Sequence, residues 1–490
     1  MRSRLPLIFA ALLAATGSTP GRASNPPNIV FIMTDDHAVS ALGCYGNKLV
    51  RTPVLDRLAA EGVRFTRSFV TNSLCAPSRA SVLTSTYSHI NGIRGNSEAK
   101  DAIEHIDRSL PTYPQLLQKA GYATAIVGKW HLSDEPVGFD YSCVLPGQGL
   151  YFDPDFIENG KKRQIPGYAT DITTDLALAW LKKQNAGKPF CLVLQHKAPH
   201  RPFLPPPRHA QLYSDREIPY PSTFDDDYAT RKLAADAEDM RFEVSLEGDY
   251  KDLPEGLPPP AKKRWIFQRF VKDYYGAIAA VDESVGRVVA YLEQQRLLEN
   301  TVIVYTTDNG FFVGDHGWYD KRFMYEPSIR VPMIVRAPGG VKGRTVDAMT
   351  LNIDVAPTLL DYAGLAPPAS MQGRSLRTLV EGTVPPDWRK SIYYTYYENS
   401  WAELVGKGPV ARSDPSFQFL TPHRVGPHRG IRTVTHKLIE YYSDHGYWEL
   451  FDLAQDPDEL KNLYGQPGTE RITGDLKQEL SRLRNQYRDL

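Results

Sequence analysis

Short apolar runs alternate with helical patterns along most of this chain. Runs rich in β-branched and aromatic residues, typical of strands buried on both faces, cover 28–34, 123–127, 190–194 and 301–306. Segments with helical periodicity lie between them, at 53–61, 114–119, 172–183 and 270–294, with a further one at 354–363. This alternation predicts an α/β fold with a large, mainly parallel sheet flanked by helices.

The pattern changes near residue 385. Tyrosine-rich alternating segments follow at 392–397, 430–434, 438–442 and 448–453, and a helical pattern covers 474–487. Alternation with a period of two is typical of antiparallel strands that are half buried. We therefore predict a catalytic domain over 24–385 and a C-terminal subdomain over 386–490, built from a smaller antiparallel sheet and a helix.

The segment from His200 to Lys263 breaks the regular alternation. It is rich in proline, charge and tyrosine, and includes Pro205–Pro207, Asp225–Asp227 and Pro258–Pro260. A structureless loop of this length is unusual unless it is functional. Two interpretations stay open: a lid over the sheet, or an excursion without a role in the site.

Composition and charge narrow the class of partner. The 57 Lys and Arg residues balance 57 Asp and Glu residues, so no overall basic surface exists to bind nucleic acid. Four cysteines, at 44, 75, 143 and 191, are too few for a disulfide scaffold, and sequence alone leaves their pairing open. We expect a globular protein that recognises anions, if at all, through a local cluster.

The first residues resemble a secretory signal peptide. Arg2 and Arg4 precede the apolar run Leu5–Ala15, and small residues surround position 23. We predict a signal peptide over 1–23, a secreted mature protein without a membrane span, and a bacterial periplasm as its location.

Polar residues follow each of the four predicted parallel strands. The carboxyl ends of such strands carry the ligand site in open α/β sheets, so these residues should share one pocket. They are Asp35 and Asp36, Lys129 and His131, His196 and His200, and Asp308 and Asn309. The Asp and Asn side chains among them are hard oxygen ligands of the kind that Ca²⁺ accepts. The alternative for Asp35 and Asp36 is that they cap a turn.

Cys75 stands at the predicted start of a helix. Pro77 lies in its first turn and Arg79 one turn further on. The free backbone N–H groups at a helix start favour an anion beside the cysteine. The alternative is an inert, buried cysteine.

Cys75-x-Pro77-Ser78-Arg79 resembles the signature of the sulfatases, a family of the alkaline-phosphatase-like superfamily. The resemblance covers nearly the whole mature chain. It extends through Asp35-Asp36, Gly128-Lys129-Trp130-His131, Ala198-Pro199-His200, Thr307-Asp308-Asn309-Gly310, Lys321 and Asp452-Leu-x-x-Asp456-Pro457-x-Glu459-x-x-Asn462-Leu463. The signature departs from the usual Leu-Thr-Gly at Ser85, a stretch that helps the maturing enzyme recognise its target.

The resemblance implies a sulfuric ester hydrolase with a modified nucleophile. A formylglycine-generating or sulfatase-maturing enzyme would convert Cys75 to formylglycine, whose oxygen would complete a calcium site made by Asp35, Asp36, Asp308 and Asn309. The family pattern also assigns roles to other residues: sulfate binding and charge stabilisation to Arg79, Lys129, His131, His200 and Lys321, base catalysis to Asp308, proton donation to His200 or Lys321, and assistance in sulfate release to His131.

A second resemblance concerns the substrate. Thr421–Thr433 is similar to a C-terminal segment of bacterial sulfatases that act on N-acetylglucosamine 6-O-sulfate, in which His and Arg side chains reach the sugar. It implies a sulfated glycan substrate, of glycosaminoglycan or mucin type, bound by His428 and Arg429. The alternative is that both residues belong to a solvated sheet edge.

Two other functions compete with a glycan sulfatase. A phosphomonoesterase or phosphodiesterase of the same superfamily would use a similar pocket, but Cys75 in place of Ser or Thr argues against it. A non-catalytic glycan-binding relative would be expected to lack part of the site, whereas every position is present here.

Overall fold

The computed structural model describes residues 26–96, 104–185, 187–398, 425–442 and 446–489. The predicted signal peptide and residues 421–424 of the segment proposed to reach the sugar lie outside these residues.

The main sheet has eleven strands, and its centre is parallel. The strands are β1 (Asn28–Asp35), β2 (Val63–Phe69), β3 (Ala123–Lys129), β4 (Tyr141–Leu145), β5 (Asp155–Glu158), β6 (Lys161–Gln164), β7 (Phe190–Pro199), β8 (Thr301–Thr307), β11 (Arg330–Arg336), β12 (Arg344–Val346) and β13 (Thr350–Leu351). They follow the order β12-β2-β11-β8-β1-β7-β3-β4-β5-β6, with β13 beside β2. The run from β8 to β4 is parallel, while β11, β5 and β6 pair antiparallel with their neighbours. The predicted mainly parallel sheet is confirmed.

Helices cover both faces of this sheet. They are α1 (Pro53–Glu61), α2 (Cys75–Thr84), α3 (Ser88–Asn91), α4 (Tyr113–Lys119), α5 (Ala169–Leu181), α8 (Pro259–Gln294), α9 (Glu326–Ile329), α10 (Val355–Tyr362) and α11 (Arg377–Val380). Alternate residues of β1 point to opposite faces: Val30 and Ile32 share a core with α1, α5 and α8, and Phe31 shares another with α4 and α10. This double burial explains the continuous apolar runs in the sequence.

The segment that breaks the alternation is ordered and packed. It holds α6 (Lys232–Asp236) and α7 (Phe242–Ser245), and its aromatic residues bury against α8. Pro259 and Pro260, which we assigned to this segment, instead form the first turn of α8. Proline is tolerated there because the first N–H groups of a helix have no intrahelical partner. The predicted helix therefore starts earlier, at Pro259 rather than residue 270.

A four-stranded antiparallel sheet forms the C-terminal part, as predicted. Its strands are β14 (Ser391–Tyr396), β15 (His428–Thr433), β16 (His436–Tyr441) and β17 (Tyr447–Asp452), and α12 (Glu470–Tyr487) packs on it. A short ribbon of β9 (Phe312–Val313) and β10 (Tyr319–Asp320) belongs to the catalytic part. One apolar core joins the C-terminal sheet to residues of the catalytic part such as Leu74 and Trp318. The proposed domain boundary falls between α11 and β14.

The four cysteines are free thiols. None of the helices in the described part of the chain is long and apolar enough to cross a membrane.

Candidate active site

The carboxyl ends of four parallel strands deliver polar residues to one point. β1 ends at Asp35, β3 at Lys129 and β7 just before His200, and Asp308 follows β8. Carboxylate oxygens of Asp35, Asp36 and Asp308 lie within 4.8 Å of one another, and all three side chains are buried. The predicted convergence therefore produces three clustered carboxylates.

Asn309 adds a fourth oxygen to this group. Its amide nitrogen donates to Asp36 Oδ1 and to the Gly310 carbonyl, so the orientation of the amide is fixed. Its amide oxygen is buried without a hydrogen-bond partner in the described part of the chain. A buried acceptor without a donor costs free energy, and a bound cation would remove that cost.

The electrostatics of the carboxylates also favour a cation. Burial, together with the neighbouring charges of Asp35 and Asp308, raises the pKa of Asp36 to about 7 although Lys321 opposes the shift. Burial and Asp35 likewise raise the pKa of Asp308. At Asp35, burial is outweighed by Lys129 and other cations, which hold its pKa well below the ordinary value. A set of three carboxylates and one amide oxygen fits Ca²⁺, which would relieve this repulsion.

Cys75 lies at the first position of α2, beside the carboxylates. Its Sγ is 3.4 Å from Asp35 Oδ1 and 3.4 Å from Lys321 Nζ. The side chain is fully buried, and burial raises the pKa of the thiol well above its ordinary value. An unmodified Cys75 would therefore stay a thiol, which is a poor nucleophile.

Arg79 holds Asp308 from the next turn of α2. Its Nε and Nη2 atoms donate to Asp308 Oδ2 at 3.0 and 2.8 Å. Nη1 donates to Gln195 Oε1 at 2.6 Å and to the Lys129 carbonyl at 2.9 Å. The guanidinium, 1% exposed, thus fixes one carboxylate relative to β3 and β7.

Two lysines pair with different carboxylates of the cluster. Lys129 Nζ pairs with Asp35 and donates to Gln148 Oε1 at 2.7 Å. Lys321, which follows β10, pairs with Asp36 and contacts the Cys75 sulfur. Although burial lowers the pKa of Lys321, the charge of Asp36 raises it well above the ordinary value, so this ammonium stays charged.

The predicted histidines separate into two groups. His200 Nε2 is 3.7 Å from Asp36 Oδ2, and His131 Nε2 is 3.2 Å from Gln148 Nε2. The His200 Nδ1 atom lies 2.7 Å from the Arg201 carbonyl, which can only accept, so the proton is on Nδ1. His196 instead contacts α8, with its Nε2 atom 3.0 Å from Ser284 Oγ.

The structure gives the two proposed sugar-binding residues different surroundings. His428 is fully buried, its ring packs against Tyr394, Tyr396 and Tyr441, and its Nδ1 contacts the Gly426 carbonyl. The solvated sheet edge that we considered for His428 is therefore wrong, and the ring serves as part of an aromatic core. Arg429 pairs with Glu440 of the next strand. Sugar binding by either residue stays a prediction.

Several residues that touch this cluster were absent from the sequence prediction. Gln195 and Gln148 bond to Arg79 and Lys129, as described above. Glu398 accepts from Arg322 Nη1 at 2.7 Å and from Asn96 N at 2.8 Å, and Asn96 Oδ1 in turn accepts from Ala76 N at 2.9 Å. The one local signal was Pro146-Gly147-Gln148-Gly149, where a polar residue stands between two glycines.

Two family models match this chain. The model described as Sulfatase matches residues 27–365. The model described as N-sulphoglucosamine sulphohydrolase, C-terminal, matches residues 415–486. The first match includes the clustered carboxylates and the three cations that pair with them.

Curated relatives align along almost the whole chain. An N-acetylglucosamine-6-O-sulfatase of Bacteroides thetaiotaomicron is 40% identical over 536 residues, covering 99% of this chain and 91% of the relative. The human N-acetylglucosamine-6-sulfatase is 27% identical and aligns with 94% of this chain and 84% of its own length.

Solved structures share the fold. One, in complex with its substrate D-glucosamine-2-N,6-O-disulfate, has a TM-score of 0.84 and 39% identity, covering 95% of this chain and 99% of its own. A phosphonate monoester hydrolase from Silicibacter pomeroyi has a TM-score of 0.75 at 24% identity, with 94% and 96% covered. The second likeness shows the fold alone.

Proposed function

Because this chain belongs to the sulfatase family, we propose that it removes the 6-O-sulfate from N-acetylglucosamine or glucosamine residues of sulfated glycans. The protein is a sulfatase, an enzyme that hydrolyses sulfate esters. The choice of sugar is supported by the relative that is 40% identical over nearly the full chain and by the substrate of the structural neighbour with a TM-score of 0.84.

The observation that carries the catalytic proposal is the position of Cys75. Its sulfur lies between a carboxylate and an ammonium group, at the start of a helix and within reach of the clustered carboxylates. Because the thiol is buried and protonated, we propose that Cys75 works as formylglycine. Once modified, Cys75 would supply a nucleophilic hydroxyl for the ester and a second hydroxyl for the release of sulfate.

We propose that Asp35, Asp36, Asp308 and Asn309 hold Ca²⁺ beside this residue. The raised pKa values of Asp36 and Asp308 and the unsatisfied amide oxygen of Asn309 support a cation there. When bound, the ion would supply positive charge to neutralise sulfate and favour ionisation of a neighbouring hydroxyl.

The residues of the chain would then bind and orient the ester. Lys129 and Lys321 place ammonium groups beside Asp35 and Asp36, where they can neutralise sulfate oxygens. Arg79 holds Asp308 in place as the base. Burial holds the pKa of His200 well below its ordinary value, so its neutral ring presents Nε2 as an acceptor. Lys321 is therefore the group that already carries a proton for the leaving alcohol.

We also propose that the protein is exported and that a second enzyme modifies it. The apolar N-terminus supports removal of residues 1–23 and a periplasmic location. Formation of formylglycine requires a maturing enzyme as a partner, which would act on the segment from Cys75 to Ser85.

The experiment combines mass spectrometry with a substrate panel. The protein is co-expressed with a formylglycine-generating enzyme, and the Cys75 peptide is weighed. Sulfate release is then measured from N-acetylglucosamine 6-O-sulfate, its 3-O-sulfate isomer and glucosamine-2-N,6-O-disulfate, and phosphate release from N-acetylglucosamine 6-phosphate, with and without Ca²⁺. We expect formylglycine in the peptide and calcium-dependent release from the 6-O-sulfates. Faster hydrolysis of phosphate monoesters than of every sulfate would instead support the phosphatase alternative.

A further inference from the structure

Gln148 connects two of the predicted sulfate-binding residues. Its Oε1 atom accepts a hydrogen bond from Lys129 Nζ at 2.7 Å, and its Nε2 atom is 3.2 Å from His131 Nε2. Lys129 on its other side pairs with Asp35. Polar contacts therefore run without a gap from the Asp35 carboxylate through Lys129 and Gln148 to His131.

The direction of these contacts is fixed by their chemistry. An ammonium group can only donate, so the carbonyl oxygen of Gln148, and not its NH₂ group, must face Lys129. The NH₂ group then faces His131 Nε2, and two donors cannot share that contact. His131 must accept at Nε2, which requires a neutral ring with its proton on Nδ1.

The backbone of the loop that carries Gln148 directs this side chain toward Lys129 and His131. Gly147 and Gly149 on either side have φ values of +52° and +67°, in the left-handed region that favours glycine. Gln148 is half buried, whereas its neighbour Leu150 is 61% exposed. Next along the same loop, the Tyr151 hydroxyl donates to the His200 carbonyl at 2.6 Å, so one loop contacts three predicted site residues.

We infer that Gln148 is a positioning residue of the sulfatase reaction: it clamps the Lys129 ammonium and holds His131 neutral with its proton on Nδ1. This inference rests on the proposed function for its effect on turnover. His131 then enters the reaction as a hydrogen-bond donor through Nδ1, and Nε2 can take a proton only when Gln148 moves away. Gln148 itself forms and breaks no bond of the substrate.

Three variants test this role. Gln148→Met keeps the length of the side chain and removes both hydrogen bonds. Gln148→Glu keeps an acceptor for Lys129 and replaces the donor that faces His131. Gln118→Met is the matched control, because Gln118 also donates its amide to a partner, Asp140 at 2.7 Å, but lies on α4 away from the cluster.

The activity readout is the split between kcat and KM for N-acetylglucosamine 6-O-sulfate, together with the melting temperature of each variant. Loss of a residue that orients catalytic groups costs roughly 10- to 100-fold, and we expect this loss in kcat for Gln148→Met with KM changed much less. The Gln118→Met variant should keep the wild-type kcat. A wild-type kcat in the folded Gln148→Met protein would overturn the positioning role.

The second readout does not depend on activity. In ¹⁵N-histidine NMR spectra, with the His131 signal assigned by its loss in His131→Asn, the wild type should show the proton on Nδ1. Gln148→Glu should move it to Nε2 or give the doubly protonated ring. If the wild type shows no sulfatase activity, the proposed function fails, while this spectrum still decides the assignment. A proton on Nε2 in the wild type would overturn it.

Discussion

Two buried clusters of charge lie in this protein, and they differ in how the charges are arranged. In the candidate active site, oxygens of three carboxylates meet within 4.8 Å. The second cluster joins the C-terminal sheet to α9, where fully buried Lys437 lies 3.1 Å from Glu326 and pairs with Glu459, and Arg432 is 3.1 Å from Glu326. In the second cluster a cation separates the two carboxylates.

The arrangement of charge, rather than its amount, distinguishes the two clusters. Three cations accompany three carboxylates at the candidate active site, and two accompany two in the other cluster. Although burial opposes it, Lys437 and Arg432 lower the pKa of Glu326 to about 2, while burial and Glu326 raise the pKa of Glu459. At the candidate active site, cations likewise lower the pKa of Asp35 against burial, but burial and two neighbouring carboxylates raise the pKa of Asp36 to about 7. In the second cluster Lys437 lies between the two carboxylates, while the three converging carboxylates of the candidate active site leave room for a further cation.

The largest expected effect comes from Cys75→Ala. This change should reduce sulfate release to background without unfolding the protein, because only this side chain can become the nucleophile. Cys191→Ala is the matched control, since Cys191 is also a fully buried free thiol but lies within β7. Substantial activity in Cys75→Ala would show that another residue attacks sulfur.

The next effect concerns the cation. Asn309→Ala removes the unsatisfied amide oxygen, and we expect the affinity for Ca²⁺ to fall by roughly 10- to 100-fold, as measured by calorimetry on the matured enzyme. Chelation should lower the melting temperature of the wild type, and Ca²⁺ at about 100 times its Kd should restore about 2.7 kcal/mol of stability. A melting temperature that does not change with Ca²⁺ would contradict the proposed calcium site.

A change in the C-terminal cluster should lower the stability of the protein rather than its activity. Lys437→Met removes the cation shared by Glu326 and Glu459, and breaking such a buried pair costs about 3–5 kcal/mol of unfolding free energy. The activity of the remaining folded enzyme should stay near that of the wild type. Lys48→Met, at an exposed lysine before α1, is the control and should change neither quantity. If Lys437→Met lost more activity than folded protein, the two clusters would be functionally coupled.

The smallest expected effect is a pH dependence of the protein's stability, caused by a glutamate beside the second cluster. Burial raises the pKa of Glu449 to about 7 despite hydrogen bonds from Tyr325, Tyr441 and Tyr447. The folded protein therefore keeps this proton to a higher pH than the unfolded chain, and its stability falls as the pH rises from about 4.5 to about 7. Glu449→Gln should remove this part of the decline in denaturant titrations. Parallel curves for the variant and the wild type would contradict it.

The sequence determined the elements and the residues at their ends. Apolar runs and helical periodicity located the central strands, and α1 has the predicted bounds, because both signals are local and repeat within a few residues. The position of Asp35, Asp36, Asp308 and Asn309 at strand ends was enough to predict their convergence, since parallel strands end at one edge. Cys75 at a helix start was likewise readable from Pro77.

Tertiary structure alone decided which partners those residues have. Gln195 reaches Arg79 from 116 positions away along the chain, and Glu398 is 302 positions from Asn96, so no local pattern records either contact. The same holds for burial: no local pattern shows that the His428 ring lies among Tyr394, Tyr396 and Tyr441. Glu459, part of the family pattern near the C-terminus, pairs with Lys437 and accepts the Glu326 N–H. Periodicity fixes which way a side chain points along its own strand or helix, but its neighbours are set by how distant elements pack.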